Sequence, residues 1–105
     1  MEAFELNEIL TQAADSKKAY LEFLRVPDLS VGLYRLAAGA QDPQSPHRED
    51  EVYYVLRGRA EIEVEGSVRA VRQGSLVYVP AGAAHKFVTI AEDLEILVFF
   101  APAES

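Results

Sequence analysis

The chain has 105 residues, half of them apolar, which is the common size of one domain with a modest core. We therefore expect a single domain over residues 1–105. There is no cysteine, which excludes disulfides, thiolate metal ligands and cysteine nucleophiles. The formal charge of −7, without a basic run to oppose it, argues against nucleic acid as a partner.

The N-terminal segment is acidic with scattered apolar side chains, so it lacks the basic start and the apolar stretch of a secretory signal. No apolar run approaches the ~20 residues that a membrane-spanning helix needs. We therefore expect a cytoplasmic protein with no membrane partner.

The predicted elements begin with a short helix over residues 4–14, with Asn7 as the candidate cap of a shorter version. After this helix the apolar pattern changes to a period of two, which is typical of strands. The predicted strands are residues 19–26, 30–36, 51–57, 59–65, 68–72, 76–79, 85–90 and 94–100. A hairpin turn is predicted at Gly66-Ser67, and the tail over residues 101–105 is predicted to fray.

Short strands at intervals of about 8 to 12 residues, separated by Gly and Pro, favour a sandwich or barrel over a βαβ fold. The predicted fold class is all-β, a double-stranded β-helix or jelly-roll barrel with a short N-terminal helix. Jelly rolls leave sheet edges, and dimerisation is a common way to cover them. We therefore expect a homodimer.

The only two histidines, His47 and His85, combine with Glu51 into a candidate metal-ligand set. In one straight strand His47 and Glu51 would be about 13 Å apart, whereas ligands lie about 2.1 Å from an ion. The chain must therefore bend at the polar tripeptide of residues 48–50. Two imidazole nitrogens and a carboxylate suit one divalent ion of Fe, Mn, Zn, Ni or Cu.

Two stretches of the chain resemble the motifs of a known family. The second, Gly74-SLVYV-Pro80-A-Gly82-AA-His85, is similar to the second cupin motif, G(x)5PxG(x)2H(x)3N, with Thr89 in place of the final Asn. The first, Gly39-AQDPQ-Ser45-P-His47-RED-Glu51-VYYVLR-Gly58, resembles the first cupin motif, G(x)5HxH(x)3E(x)6G, with Ser45 at the position of the first histidine. The resemblance indicates a small single-domain cupin.

The resemblance implies that His47, Glu51 and His85 point into the barrel and bind one metal ion. Ser45 stands where the family has a further histidine, and a serine hydroxyl is a poor ligand near neutral pH. The fourth position is then open to water, to substrate or to a neighbouring side chain. Gln44, with its amide oxygen, and Ser45 are the candidate fourth ligands.

Three aromatic residues are candidates for the wall of a ligand pocket. Tyr53 shares parity with Glu51, and Phe87 shares parity with His85, while Tyr78 lies close to the second motif with no clear facing. Core packing explains aromatic side chains at such positions about as well.

These observations predict a metal-dependent enzyme acting on a small molecule, either dioxygenase-like or isomerase-like. Two histidines and a carboxylate with open positions also occur in non-haem iron oxygenases, which is an analogy only. The alternative is a non-catalytic module that binds or senses a small ligand, and a third hypothesis is a structural barrel that self-associates. A hydrolase built on Ser45 and His47 is disfavoured, because no third side chain to orient them is apparent.

Overall fold

The structure, a computed structural model, describes residues 1–105. It contains one helix and eight strands: α1 (Leu6–Ser16), β1 (Tyr20–Val26), β2 (Leu29–Leu36), β3 (Asp50–Arg57), β4 (Arg59–Val64), β5 (Ser67–Arg72), β6 (Leu76–Val79), β7 (His85–Val88) and β8 (Leu94–Ala101). The predicted all-β jelly roll with a short N-terminal helix is confirmed.

The strands form two antiparallel sheets. The larger sheet has the order β1-β2-β8-β3-β6, and the smaller one has the order β5-β4-β7. Strand β3 is hydrogen-bonded on both sides, so that its second residue, Glu51, lies opposite Phe100 of β8 and Val79 of β6. Because both neighbours constrain the backbone, the position of Glu51 in the sheet is fixed.

The core lies between the two sheets. Every second residue of β8 is buried, because alternate side chains of a strand point to the same face. They pack with buried residues of the smaller sheet, including Ile62 of β4 and Phe87 of β7. Burial of each large apolar side chain stabilises the fold by roughly 1.5–3 kcal/mol. The buried residues of β8 are Leu94, Ile96, Val98 and Phe100.

Helix α1 covers the other face of the larger sheet. Its buried residues Ile9 and Ala13 pack against Leu33 of β2, which forms a second, smaller cluster. The prediction that Asn7 caps the helix is wrong. The Glu5 carbonyl accepts hydrogen bonds from the backbone N–H groups of residues 8 and 9, so the first turn opens before Asn7.

Two predicted element boundaries are also wrong, and backbone conformation explains both. The hairpin turn after β4 lies at Glu65 and Gly66, which have φ values of 49° and 82°, as a two-residue hairpin turn of type I′ requires. Ser67 already pairs with Val64 in the ladder. Strand β7 ends at Val88, because Thr89 has a φ of 49° and leaves the extended conformation.

The C-terminal tail does not fray as predicted. The backbone N–H of Glu104 donates to Ser30 Oγ (3.0 Å), and the guanidinium of Arg25 donates to the Glu104 carbonyl (2.7 Å). Ser105 donates to the buried carboxylate of Glu49 through both its N–H and its hydroxyl. These long-range bonds hold the tail against the body of the protein.

We predict that Gly58→Ala destabilises the protein more than Gly74→Ala. Both glycines have positive φ, 98° and 91°, which costs an L-residue roughly 1–2 kcal/mol. A Cβ at Gly58 would also lie 2.3 Å from the Asp93 carbonyl oxygen, whereas one at Gly74 meets no atom within 4 Å. Overpacking of this kind costs a further ~1–3 kcal/mol. Urea denaturation measures both, and equal losses would contradict the prediction.

Candidate metal centre

The structure brings the three predicted ligands together. One candidate ligand atom from each of His47, Glu51 and His85 lies within 4.8 Å of the others. His47 comes from the loop before β3, Glu51 is the second residue of β3, and His85 is the first residue of β7. The chain bends at residues 48 and 49, at the polar tripeptide where the sequence predicted a corner. This bend brings His47 back toward Glu51.

A backbone hydrogen bond joins the two stretches that supply the ligands. The N–H of Gly82, in the turn before β7, donates to the carbonyl of His47 over 2.7 Å. The turn that precedes His85 is therefore attached to the loop that carries His47. Their imidazole ring centroids lie 5.2 Å apart.

Both imidazoles direct Nε2 at the shared space because their Nδ1 atoms are engaged elsewhere. His85 Nδ1 lies 2.9 Å from the carbonyl oxygen of Ala83, and His47 Nδ1 lies 3.3 Å from a carboxylate oxygen of Glu104. A carbonyl and a carboxylate only accept hydrogen bonds, so each Nδ1 carries the proton. Each Nε2 of a neutral ring then presents a lone pair, the form in which histidine binds a metal.

Glu51 is the group in this site that most needs a cation. It is 2 % exposed, and neither carboxylate oxygen accepts a hydrogen bond. Its Oε1 lies 3.1 Å from His85 Nε2, but a neutral ring protonated at Nδ1 has no proton to donate there. An unpaired buried carboxylate is costly, so the residues present fit a bound divalent cation.

The ionisation of His85 reflects this need. Burial lowers its pKa, but the interactions of the protonated ring with the Glu51 carboxylate and with the Ala83 carbonyl outweigh burial, so the pKa lies above the ordinary histidine value. In metal-free protein below this raised pKa, a proton on His85 compensates the charge of Glu51. A metal ion at this site has to displace that proton.

Of the two candidate fourth ligands, Gln44 faces the site and Ser45 is exposed. Gln44 Oε1 lies 3.3 Å from His47 Nε2 and 3.1 Å from His85 Nε2. It also accepts a hydrogen bond of 2.9 Å from the Tyr53 hydroxyl. The amide oxygen therefore lies where the lone pairs of both imidazoles point.

The three candidate pocket residues are divided between the inside and the outside of the barrel. Tyr53 and Phe87 are buried beside the site, with ring centroids 4.9 Å apart. Burial, followed by the charge of Glu51, raises the pKa of Tyr53, so that its hydroxyl stays protonated. Tyr78 lies on the outer face of β6, where it is 60 % exposed, and its hydroxyl donates a hydrogen bond to the Asp50 carboxylate. It borders a surface groove of about 1030 Å³ that contains none of the three ligand residues.

Sequence reasoning missed three side chains around the site. Glu104 in the tail contacts His47. Burial raises the pKa of Glu104 above its ordinary value, and His47 offsets only part of that rise. Asp42 is buried and hydrogen-bonded to Gln44. The buried hydroxyl of Tyr20 has no hydrogen-bond partner, and its ring packs against Phe100. No spacing rule distinguishes these residues from ordinary loop, tail and strand residues.

Comparison with known proteins identifies the family. The cupin domain profile matches residues 32–100, and the chain therefore belongs to the cupin family. An uncharacterized protein of Streptomyces coelicolor is 54% identical over 105 residues, which is 100% of both chains.

Solved structures agree with this assignment. TT1209 from Thermus thermophilus has a TM-score of 0.81 at 27% identity, and the match covers 98% of this chain and 99% of that one. The DMSP lyase DddQ from Ruegeria pomeroyi has a TM-score of 0.70 at 25% identity, covering 84% of this chain and 49% of the lyase.

The only helix, α1, is too short to cross a membrane.

We predict that metal and pH act together on stability. In metal-free protein, the raised pKa of His85 stabilises the fold below the unfolded value of about 6.5, and this contribution is lost as pH rises through the folded-state pKa. Stabilisation by metal instead grows over the same interval, because protons compete with the ion. A free metal concentration of 100 times Kd stabilises by about 2.7 kcal/mol.

The measurement is the difference in Tm between Zn²⁺-loaded and EDTA-treated protein at about pH 6 and about pH 8. This difference should be larger at the higher pH. Glu51→Gln removes the carboxylate that faces protonated His85 or the metal, and should reduce both the metal-induced change in Tm and its pH dependence. A metal-induced change in Tm that is equal at both pH values would refute the prediction.

Proposed function

We propose that His47, Glu51 and His85 hold one divalent metal ion and that this cupin uses it as a metal-dependent enzyme acting on a small molecule. The observation that carries the proposal is the buried Glu51 carboxylate, which lacks donors and faces the lone pairs of two imidazoles. Membership of the cupin family supports it, as does the lyase named among the structural neighbours.

Gln44 is the proposed fourth ligand, because its Oε1 lies close to both imidazole nitrogens. Ser45 is the weaker candidate, since its side chain is exposed. The donor set then has two nitrogens and two oxygens. Such a set suits Mn(II), Fe(II), Ni(II), Zn(II) and Cu(II), and affinity alone rises from Mn(II) through Fe(II) and Ni(II) to Cu(II).

A divalent ion at this site supplies Lewis-acid polarisation of a substrate oxygen or, for a redox-active metal, oxygen chemistry. The chain itself provides the surrounding groups. The Tyr53 hydroxyl stays protonated at neutral pH and donates a hydrogen bond to Gln44 Oε1. Phe87 packs edge-on against Tyr53 and restricts its ring.

The second candidate function is a non-catalytic module that binds or senses a small ligand. The observation that favours it is that two side chains from other segments already contact the imidazoles of the site. Glu104 in the tail contacts His47 from one side, and Gln44 Oε1 lies between the two imidazoles. A ligand that displaced either group would alter the tail or the loop before β3, and such a displacement is what a sensor needs.

The metal is tested by elemental analysis of protein purified without chelators or metal-affinity resin. Wild type should carry about one equivalent of Mn, Fe, Zn, Ni or Cu. His47→Ala removes one of the two imidazole ligands and should lower metal affinity by more than ~100-fold, beyond the usual loss for an outer hydrogen-bond partner. Gln41→Ala, exposed in the same loop, is the control and should retain the metal. Metal-free wild type that resists reconstitution would refute the proposal.

The two candidate functions are separated by turnover. Metal-loaded protein is screened for oxygen uptake, and for conversion of small organic acids and sugars followed by NMR. A catalytic cupin should convert at least one compound, and Glu51→Gln should lose that conversion, while Glu61→Gln on the outer face of β4 keeps it. Saturable binding of a compound without conversion, together with a changed Tm, would favour the binding module.

We also propose a homodimer, because the edge strand β6 exposes large apolar side chains. Leu76 is 69 % exposed and Tyr78 is 60 % exposed on its outer face. Light scattering coupled to size exclusion should give twice the mass of 11.6 kDa, and Leu76→Lys should shift the protein toward the monomer. A monomeric wild type would refute the dimer. A cytoplasmic location likewise stays a prediction.

A further inference from the structure

We infer that Asp42 is the positioning residue of the metal centre, because it sets the direction of the Gln44 amide. The inference rests on the proposed metal site and concerns a residue outside its ligand set. Asp42 is 8 % exposed and lies in the loop before β3, two residues before Gln44. Its carboxylate is hydrogen-bonded both to Gln44 and to the backbone of strand β7.

Three donors converge on the carboxylate of Asp42. Its Oδ2 accepts from the Gln44 side-chain Nε2 and from the backbone N–H of Phe87, the latter at 2.8 Å. Its Oδ1 accepts from the hydroxyl of Tyr34. Strand β7 also carries His85, so Asp42 connects the loop that carries Gln44 to the strand that carries a ligand histidine.

The chemistry of the carboxylate determines which end of the amide faces the metal site. An amide side chain offers two nearly isosteric ends, an NH₂ that donates and an oxygen that accepts. A carboxylate accepts only, so Gln44 must present its NH₂ to Asp42. The Gln44 oxygen then has to face His47 and His85, where a cation needs an acceptor.

Tyr53 supports the same orientation from the opposite side. Its hydroxyl donates to Gln44 Oε1 over 2.9 Å. If the amide were reversed, its NH₂ would point at the imidazoles and the cation, and its oxygen would oppose the Asp42 carboxylate. With Asp42 in place, the neutral oxygen of Gln44 supplies the fourth ligand that Ser45, at the motif position of the first histidine, does not.

The test is a double-mutant cycle at positions 42 and 44, with Mn²⁺ affinity measured by isothermal titration calorimetry. Asp42→Asn keeps the size of the side chain but adds an NH₂ that donates to the oxygen of a reversed Gln44 amide. With Gln44 present, the substitution should weaken Mn²⁺ binding about 10- to 100-fold, the usual effect of an outer hydrogen-bond partner. In a Gln44→Glu background the substitution should not weaken Mn²⁺ binding, because a carboxylate has two equivalent oxygens and no direction to lose, and Asp42→Asn removes the like charge beside it.

A purely structural role for Asp42 predicts a different result. Loss of its bonds to Phe87 and Tyr34 would weaken Mn²⁺ binding equally in both backgrounds, and equal losses would therefore overturn the inference. Asp28→Asn, at an exposed turn, is the control for the charge change, and Gln41→Glu is the control for the Gln44→Glu background. Wild type that binds no Mn²⁺, Zn²⁺ or Ni²⁺ would overturn the metal centre itself, and this inference with it.

A measurement on wild type covers the case in which Asp42→Asn does not fold. On titration with Zn²⁺, the side-chain carbonyl carbon of Gln44 should shift in the ¹³C NMR spectrum, while that of exposed Gln41 stays in place. Exchange of the Gln44 NH₂ protons with solvent should be slow before and after zinc is added, because they stay bonded to Asp42. An unshifted Gln44 carbon, or rapidly exchanging NH₂ protons, would overturn the inference.

Discussion

A buried carboxylate without donors is the constraint on which this site depends. Removing such a charge from water costs several kcal/mol unless another charge or a set of donors compensates it. Glu51 has neither, because the Nδ1 protons of both nearby imidazoles are used by Ala83 and Glu104. The three side chains are therefore compatible only when a cation, or a proton on an imidazole, lies among them.

The fold keeps these three side chains together although the burial of the Glu51 carboxylate is unfavourable. Glu51 lies on a strand paired on both sides, so its backbone has no freedom to move the carboxylate toward water. His85 begins the strand that pairs with β4, and the turn before it is bonded to the carbonyl of His47. The C-terminal tail, bonded to Ser30, carries Glu104 to the outer nitrogen of His47. Each candidate ligand is thus positioned by hydrogen bonds or polar contacts between segments far apart in the chain.

The sequence predicts most of this fold because the determining patterns are local. Alternating apolar residues give the strands, and glycines and prolines mark the turns. The motif spacing predicts that His47, Glu51 and His85 converge, as they do, and parity predicts that Tyr53 and Phe87 face inward. The turn at Glu65 lies one residue earlier than predicted, because a single sequence does not reveal which non-glycine residue adopts positive φ.

What the sequence does not predict depends on contacts between distant segments. Tyr78 faces outward because β6 pairs with β3 in the register Val52↔Tyr78, and that register exists only once the sheet has formed. The tail contains no periodic pattern, yet its bonds to Glu49 and Ser30 order it. Asp42 looks like an ordinary loop residue until Gln44 and β7 are packed around it. Among these residues, Asp42 contacts Gln44 at the site, whereas Tyr78 faces away from it.

The central claim is that one cation lies among Glu51 and the two imidazoles. Anomalous diffraction from crystals grown with Mn²⁺ tests it most directly, because it locates the metal independently of the protein atoms. We expect one strong peak about 2.0–2.3 Å from the Nε2 atoms of His47 and His85 and from a carboxylate oxygen of Glu51. A fully soaked crystal with no peak there, or with one only at surface carboxylates, would contradict the account.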